Sequence, residues 1–157
     1  MTENRDPGGP IRQFTADLVE AAMAGAYEEV ADTLGALTRA GSPHAPAEVV
    51  AELVDRCAAV VHARHPAGPG SIFTIAVADD QARPVEVDRL PPGPLAALRA
   101  LLAALGDDVE SRDIQVELAS RGEPDDVVCV VIHLLVWLVE VSDSSTAALP
   151  SLSCFTP

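Results

Sequence analysis

The stretch VVCVVIHLLVWLVEV, Val127 to Val141, constrains the fold more than any other part of the chain. As a single β-strand it would be about 50 Å long, well beyond ordinary strand lengths, whereas as a helix it is about 22 Å long, which suits a small domain. Pro124 and the two aspartates after it are typical of the first turn of a helix. A helix that is apolar all round is a buried one, so the run predicts the central helix of a core.

The same run is too short to anchor the chain in a membrane, because a spanning helix needs about 20 apolar residues. The first ten residues, MTENRDPGGP, lack the apolar core of a signal peptide. Three cysteines, an odd number without a CxxC pair, indicate free thiols rather than a disulfide framework. We therefore expect a cytoplasmic protein with no membrane partner.

The charged residues of the chain limit the partners that it can bind and the chemistry that it can perform. All ten basic residues are arginines, and 24 acids bring the formal net charge to −14. Such a surface repels nucleic acid phosphates and anionic lipids, so we expect no nucleic acid partner and favour a basic or neutral protein surface. The absence of lysine excludes Schiff-base chemistry and a Walker-type phosphate site. The bias toward Ala, Arg, Val and Pro, together with the absence of lysine, is also typical of a GC-rich bacterial genome.

The periodicity of apolar residues divides the chain into a flexible lead-in at 1–10, a single helical domain at 11–141 and a tail at 142–157. Helical spacing recurs between Ile11 and Ala22, Tyr27 and Leu37, Val49 and Val61, and Leu95 and Leu105. The segment 109–121 carries mixed signals. An Asp107-to-Glu110 spacing typical of a helix cap and a Gly122 terminator favour a helix, while alternating Ile114, Val116 and Leu118 would suit a third strand of a sheet.

The period changes to two at about 71–88, where a polar turn separates two alternating runs. This pattern predicts a β-hairpin, and Pro84 marks its second strand as an edge. An isolated hairpin is marginally stable, so it must pack on the helices or pair with another chain. The predicted fold is therefore mostly α (α+β), a compact bundle of five to six helices with one inserted hairpin. The hairpin residues predicted to take part in an interface are Phe73, Ile75, Val77, Val85 and Val87.

One stripe of the Val127 helix carries groups with reactive chemistry. Cys129, His133 and Trp137 are four apart, and Glu140 follows three later. A cysteine and a histidine at this spacing could act as a nucleophile with its base or as half of a metal site, but each use needs further partners. We favour core packing for all of them. No nucleotide, metal or hydrolase motif is present, so no catalytic residue, cofactor or metal is predicted.

The tail is rich in Ser and Thr and contains Cys154. It predicts a short docking segment whose apolar residues bind a partner groove, namely Leu149, Leu152 and Phe155. We expect a non-catalytic adaptor or regulatory protein that binds a protein partner or itself. The alternatives are a small enzyme with a Cys129 and His133 site, and a precursor protein whose tail is modified at Ser, Thr and Cys.

Overall fold

The computed structural model describes residues 8–68, 70–145 and 148–155, and these residues form six helices and three short strands with their connecting loops. The predicted mostly α class, with five to six helices and one inserted hairpin, is confirmed. In chain order the elements are α1 (Gly9–Met23), α2 (Tyr27–Arg39), α3 (Ala45–Arg64), β1 (Val77–Ala78), β2 (Pro84–Val85), a 3-10 turn (Val87–Arg89), α4 (Pro92–Leu105), α5 (Val109–Ala119), α6 (Pro124–Asp143) and β3 (Leu152–Ser153).

The first two helices are separate and are joined by a tight turn. Gly25 has a φ of +71° at this turn, a conformation that L-residues with side chains rarely adopt. Gly41 has a φ of +64° shortly after α2, as expected of a residue that ends a helix. The first helix begins at Gly9, inside the lead-in predicted at 1–10, and residues 1–7 of that lead-in lie outside the described residues.

Segment 109–121 contains a helix, as favoured from the sequence, and the third-strand alternative is wrong. Its N-cap is Asp108, one residue later than predicted, and the Asp108 carboxylate accepts the Ser111 N–H at 3.0 Å. Val116 is buried, whereas Ile114 and Leu118 are 52% and 45% exposed. The alternation that resembled a strand therefore arises from two apolar side chains that face away from the core.

Helix α6 is the central helix, as its apolar run predicts. It contacts α1, α2, α3, α4 and β3. Asp126 in its first turn accepts the Glu123 N–H at 3.2 Å, which satisfies one backbone donor at the helix start. On the facing helix α3, the Cys57 thiol donates to the Leu134 carbonyl at 3.6 Å. None of the described helices combines the length and apolarity needed to cross a membrane. The buried residues of α6 are Val127, Val130, Val131, His133, Leu134, Leu135, Trp137, Leu138 and Val141.

The hairpin is present but shorter than the predicted span. Val77 pairs with Val85 and Ala78 with Pro84 in the antiparallel ladder, and β2 forms an edge, as Pro84 indicated. Val87 cannot extend the ladder because it begins the 3-10 turn. Phe73 and Ile75 lie before β1 and pack against the core without a strand partner.

The C-terminal residues add a third strand that the sequence pattern did not predict. Strand β3 pairs with β1 in parallel, with Val77 opposite Leu152, so that the order in the sheet is β2-β1-β3. Helix α6 extends to Asp143, past the predicted domain limit at 141. The described part of the predicted tail therefore belongs to the folded body, while residues 146–147 and 156–157 lie outside the described residues.

Candidate functional site

The reactive stripe of α6 binds the C-terminal segment of the same chain. We call residues 148–155 the strap. His133 accepts the Phe155 N–H through Nε2 at 3.1 Å. The Trp137 Nε1–H donates to the Ser153 carbonyl at 2.7 Å. Glu140 Oε2 accepts the Ser153 N–H at 2.9 Å, and Glu140 Oε1 accepts the Ser153 hydroxyl. Side chains of one helix thus take the place of a neighbouring strand.

The other side of the strap bonds to the hairpin. The Leu152 N–H donates to the Ala76 carbonyl at 2.8 Å, and the Cys154 N–H donates to the Ala78 carbonyl at 2.9 Å. Because successive residues of a strand point in opposite directions, the N–H groups of 152 and 154 face the hairpin while those of 153 and 155 face α6. Every backbone N–H from 152 to 155 therefore has an acceptor within the chain, as buried backbone requires.

His133 is held as a neutral ring in one tautomer. Its Nδ1 lies 2.8 Å from the Cys129 carbonyl, which can only accept, so Nδ1 carries the proton. Its Nε2 accepts from the Phe155 N–H and so presents a lone pair. Burial lowers the pKa of His133, and the hydrogen bond to the Cys129 carbonyl opposes part of that effect. The Phe155 and Trp137 rings lie 5.1 Å and 5.8 Å from the imidazole centroid.

Cys129 and His133 are close, but their arrangement does not suit a nucleophile and its base. The Cys129 sulfur lies 3.6 Å from Nδ1, the nitrogen that already carries a proton. Burial raises the pKa of the Cys129 thiol, and the charge of Asp126 and the Cys154 thiol raise it further. A protonated thiol is a poor nucleophile. Cys129 does line a cavity of about 490 Å³ between the starts of α4 and α6, with Gly93, Asp125 and Asp126 among its neighbours.

Metal binding was the other chemistry considered for the stripe. Within residues 8–68, 70–145 and 148–155, no three side chains of His, Cys, Asp or Glu are grouped so that they could hold a metal ion. The partners that Cys129 and His133 would need for a metal site are therefore not found in the part of the chain that the structure describes.

Most of the residues predicted to contact a partner are covered by the chain itself. Val77 and Leu152 are opposite each other in the sheet and are 3% and 2% exposed. Phe155 is the exception, with 38% of its surface exposed at the end of the strap. In this arrangement, the hairpin and the strap bury each other's apolar side chains. The remaining predicted residues are partly buried against the core, namely Phe73, Ile75, Val85, Val87 and Leu149.

The structure shows a different apolar surface, which the sequence pattern did not identify. A groove of about 190 Å³ lies between α6 and the neighbouring helices α1 and α2, and we call it the α6 groove. Tyr27 is 79% exposed and Ile132 is 39% exposed at this groove. Helix α6 is apolar all round, so its sequence gives no sign of which side its neighbours leave uncovered. The groove is lined by Ala22, Tyr27, Val30, Ile132, Leu135, Val136, Val139 and Glu140.

The charged residues of α2, and the one charged residue that lines the α6 groove, are mostly acids. Glu140 is part of its lining, and Glu28 and Glu29 follow Tyr27 in the first turn of α2. Helix α2 also contains Asp32, and its basic residue, Arg39, is at the far end in the last turn. One acid, Glu140, therefore lines the groove, and two more lie in the first turn of α2, the helix that contributes Tyr27 and Val30 to the lining.

Comparison with known proteins gives no relative from which a function could be inferred: no family model, no curated protein and no solved structure matches this chain.

Proposed function

We propose that this protein is a non-catalytic cytoplasmic adaptor or regulatory protein that binds an amphipathic helical segment of a partner protein in the α6 groove. The observation that carries the proposal is the groove itself, an apolar channel between three helices with Tyr27 and Ile132 exposed beside it. Exposed apolar patches with polar borders are typical of interaction sites.

The size of the α6 groove favours side chains of a partner over a small molecule. Its volume of about 190 Å³ is below the roughly 300–1,000 Å³ of ordinary small-molecule pockets. The α6 residues that line it extend from Ile132 to Glu140, about 12 Å along the helix axis. That is about two helical turns, a length that matches the i, i+3 or i+4, and i+7 anchors of a helix bound in a groove.

Charge favours a basic partner segment over a second copy of this chain. Two copies would bring together molecules that each carry a formal charge of −14. Glu140 in the groove lining, together with Glu28 and Glu29 in the first turn of α2, would instead attract arginine or lysine of the bound segment.

The proposal can be tested with two designed helical peptides of roughly 15 residues, long enough to be partly helical in isolation. Both carry the same leucine face, and one has arginine and the other glutamate on its remaining surface. Isothermal titration calorimetry on the full chain measures their dissociation constants. We expect the arginine peptide to bind at least about tenfold more tightly, because opposite charges meet at the groove border.

Matched variants distinguish groove binding from general attraction between charges. Ile132→Asp places a charge in the groove, whereas Ile114→Asp places the same charge on α5, where Ile114 is 52% exposed. We expect Ile132→Asp to weaken binding of the arginine peptide about tenfold or more and Ile114→Asp to leave it unchanged. Equal binding by both variants would refute the proposal. A homodimer that Ile132→Asp dissociates would assign the groove to a second copy instead.

A further inference from the structure

We propose that the strap is a proton-sensitive latch, in which protonation of His133 at Nε2 releases residues 152–155 from α6. The inference does not rest on the proposed function, although Glu140 both lines the α6 groove and accepts from Ser153 of the strap. It rests on the geometry of the two imidazole nitrogens, each of which has a single role in the closed strap. Nδ1 donates to a carbonyl, and Nε2 accepts from the Phe155 N–H.

A protonated His133 cannot keep both of these hydrogen bonds. The imidazolium carries a proton on each nitrogen, so Nε2–H would point at the Phe155 N–H from 3.1 Å. Nδ1 cannot give up its proton instead, because it faces the Cys129 carbonyl at 2.8 Å. The charged ring would also remain fully buried, with aromatic rings of Trp137 and Phe155 beside it. Movement of the strap away from α6 relieves both problems, since it frees Nε2 to bond with water.

The sign of the pH dependence follows from the lowered pKa of His133. Above its ordinary value of 6.5 the ring is neutral whether the strap is docked or released, so docking retains its full stability. As the pH falls below 6.5, the released form takes up a proton that the docked form excludes. The equilibrium therefore moves toward release, until the pH passes the lowered pKa of the docked form.

The other titratable groups around the latch come from α6, the strap and the hairpin. Burial raises the pKa of Cys129 and of Cys154, so both thiols stay neutral in acid. Asp79, whose charge acts on Cys154, has a lowered pKa chiefly because it accepts the backbone N–H of Arg83. On α6, the charge of Asp126 acts on the Cys129 thiol. Glu140 is the titratable group besides His133 whose side chain accepts from the strap, and its carboxylate holds Ser153. A test of the latch must therefore separate His133 from Glu140.

The test follows the strap of the full chain between pH 7.5 and 5.0 with two probes. Amide hydrogen exchange at Ser153 and Phe155, corrected for the intrinsic effect of pH, measures opening of the strap. Fluorescence of Trp137, the one tryptophan, reports the loss of its bond to the Ser153 carbonyl. We expect the corrected exchange at both amides to rise about tenfold for each pKa unit by which docking lowers the His133 pKa. Protection that stays constant to pH 5.0 would overturn the proposal.

Two variants assign the transition to one group. His133→Gln keeps a neutral side chain that can accept the Phe155 N–H but cannot be protonated, so we expect it to abolish the change in exchange. Glu140→Gln removes the other titratable contact of the strap, and we expect the transition to persist in it. The proposal fails if His133→Gln opens over the same pH range as the unmodified protein, or if Glu140→Gln removes the transition.

The unmodified protein gives a second criterion that does not depend on how the variants fold. The ring nitrogens of His133 can be followed by NMR, which shows the tautomer at pH 7.5 and the protonation midpoint in acid. We expect the Nδ1–H tautomer, and we expect His133 protonation and opening of the strap to share one midpoint. Different midpoints, or the Nε2–H tautomer at pH 7.5, would contradict the latch.

Discussion

At the scale of single residues, the cysteines differ in their surroundings. Cys57 is fully buried, and burial raises the pKa of its thiol to about 12. Cys154 is part of the strap and is 6% exposed, and Cys129 is half-buried beside the cavity at the starts of α4 and α6. Because alkylation requires both access and a thiolate, these positions predict different reactivities.

We expect native alkylation by iodoacetamide at about pH 8 to be fastest at Cys129, slower at Cys154 and slowest at Cys57. Peptide mass spectrometry after timed quenching measures the three rates. In concentrated urea the three rates should become similar, which serves as the control. Native labelling of Cys57 as fast as that of Cys129 would contradict the packing of α3 against α6.

The α6 stripe shows what helical spacing can and cannot predict about a site. A repeat of four residues places Cys129, His133 and Trp137 on one side of a helix, and this holds in the structure. The repeat does not predict what lies opposite this side of the helix. Trp137 donates to the Ser153 carbonyl and His133 accepts the Phe155 N–H, and both partners belong to a different segment. A sequence pattern therefore identifies a face but not its partner.

At the scale of helices and strands, α4 and α6 approach each other closely at Gly93. A Cβ at this position would lie 2.7 Å from Cγ2 of Val130, a residue with no exposed surface. We expect Gly93→Ala to lower the free energy of unfolding by about 1–3 kcal/mol through overpacking, measured by urea denaturation followed by circular dichroism.

Two further variants control the Gly93 prediction. Gly9 in α1 has no atom within 4 Å of the site of an added Cβ, so Gly9→Ala should be neutral or slightly stabilising. In the Gly93→Ala, Val130→Ala double variant the clash is absent, so the loss should be smaller than the sum of the two single losses. Strictly additive losses would show that the two side chains do not compete for the same space.

Local patterns predicted the helices better than the sheet. Each long amphipathic or apolar segment became a helix, since one face could be assigned from nearby residues. The two strands of the hairpin are also close in sequence, but Val87 begins the 3-10 turn, so the ladder is shorter than predicted. Strand β3 could not be predicted from the alternation at 71–88, because it comes from almost half the chain length later. The α6 groove depends on where three helices leave a gap, which no single segment encodes.

At the scale of the whole molecule, net charge should make stability depend on salt. A chain with a formal charge of −14 repels itself when folded, and salt screens that repulsion. We expect the melting temperature to rise by about 2–4 °C between about 0.01 M and 0.5 M chloride, equivalent to roughly 1 kcal/mol for a domain of this size. Thermal unfolding followed by circular dichroism measures the shift.

Sodium and potassium chloride should give the same increase in melting temperature if screening is the cause. A decrease with salt would mean that local ion pairs outweigh the overall repulsion. The pair between Arg112 on α5 and Asp55 on α3, with a nitrogen to oxygen distance of 2.5 Å, is the kind of contact that salt would weaken.

The parallel pairing of β1 with β3 matters for how the chain folds during synthesis. The hairpin and five helices leave the ribosome before α6, and the strap follows α6. Until β3 has been synthesised, the edge of β1 that faces away from β2 has no partner. Pairing at this edge requires a contact across a long loop, and such contacts form late. Uncovered strand edges invite pairing with other nascent chains. Because β1 has two residues, it exposes few backbone groups with which another chain could pair. Its shortness therefore protects the chain from such pairing until β3 pairs with it.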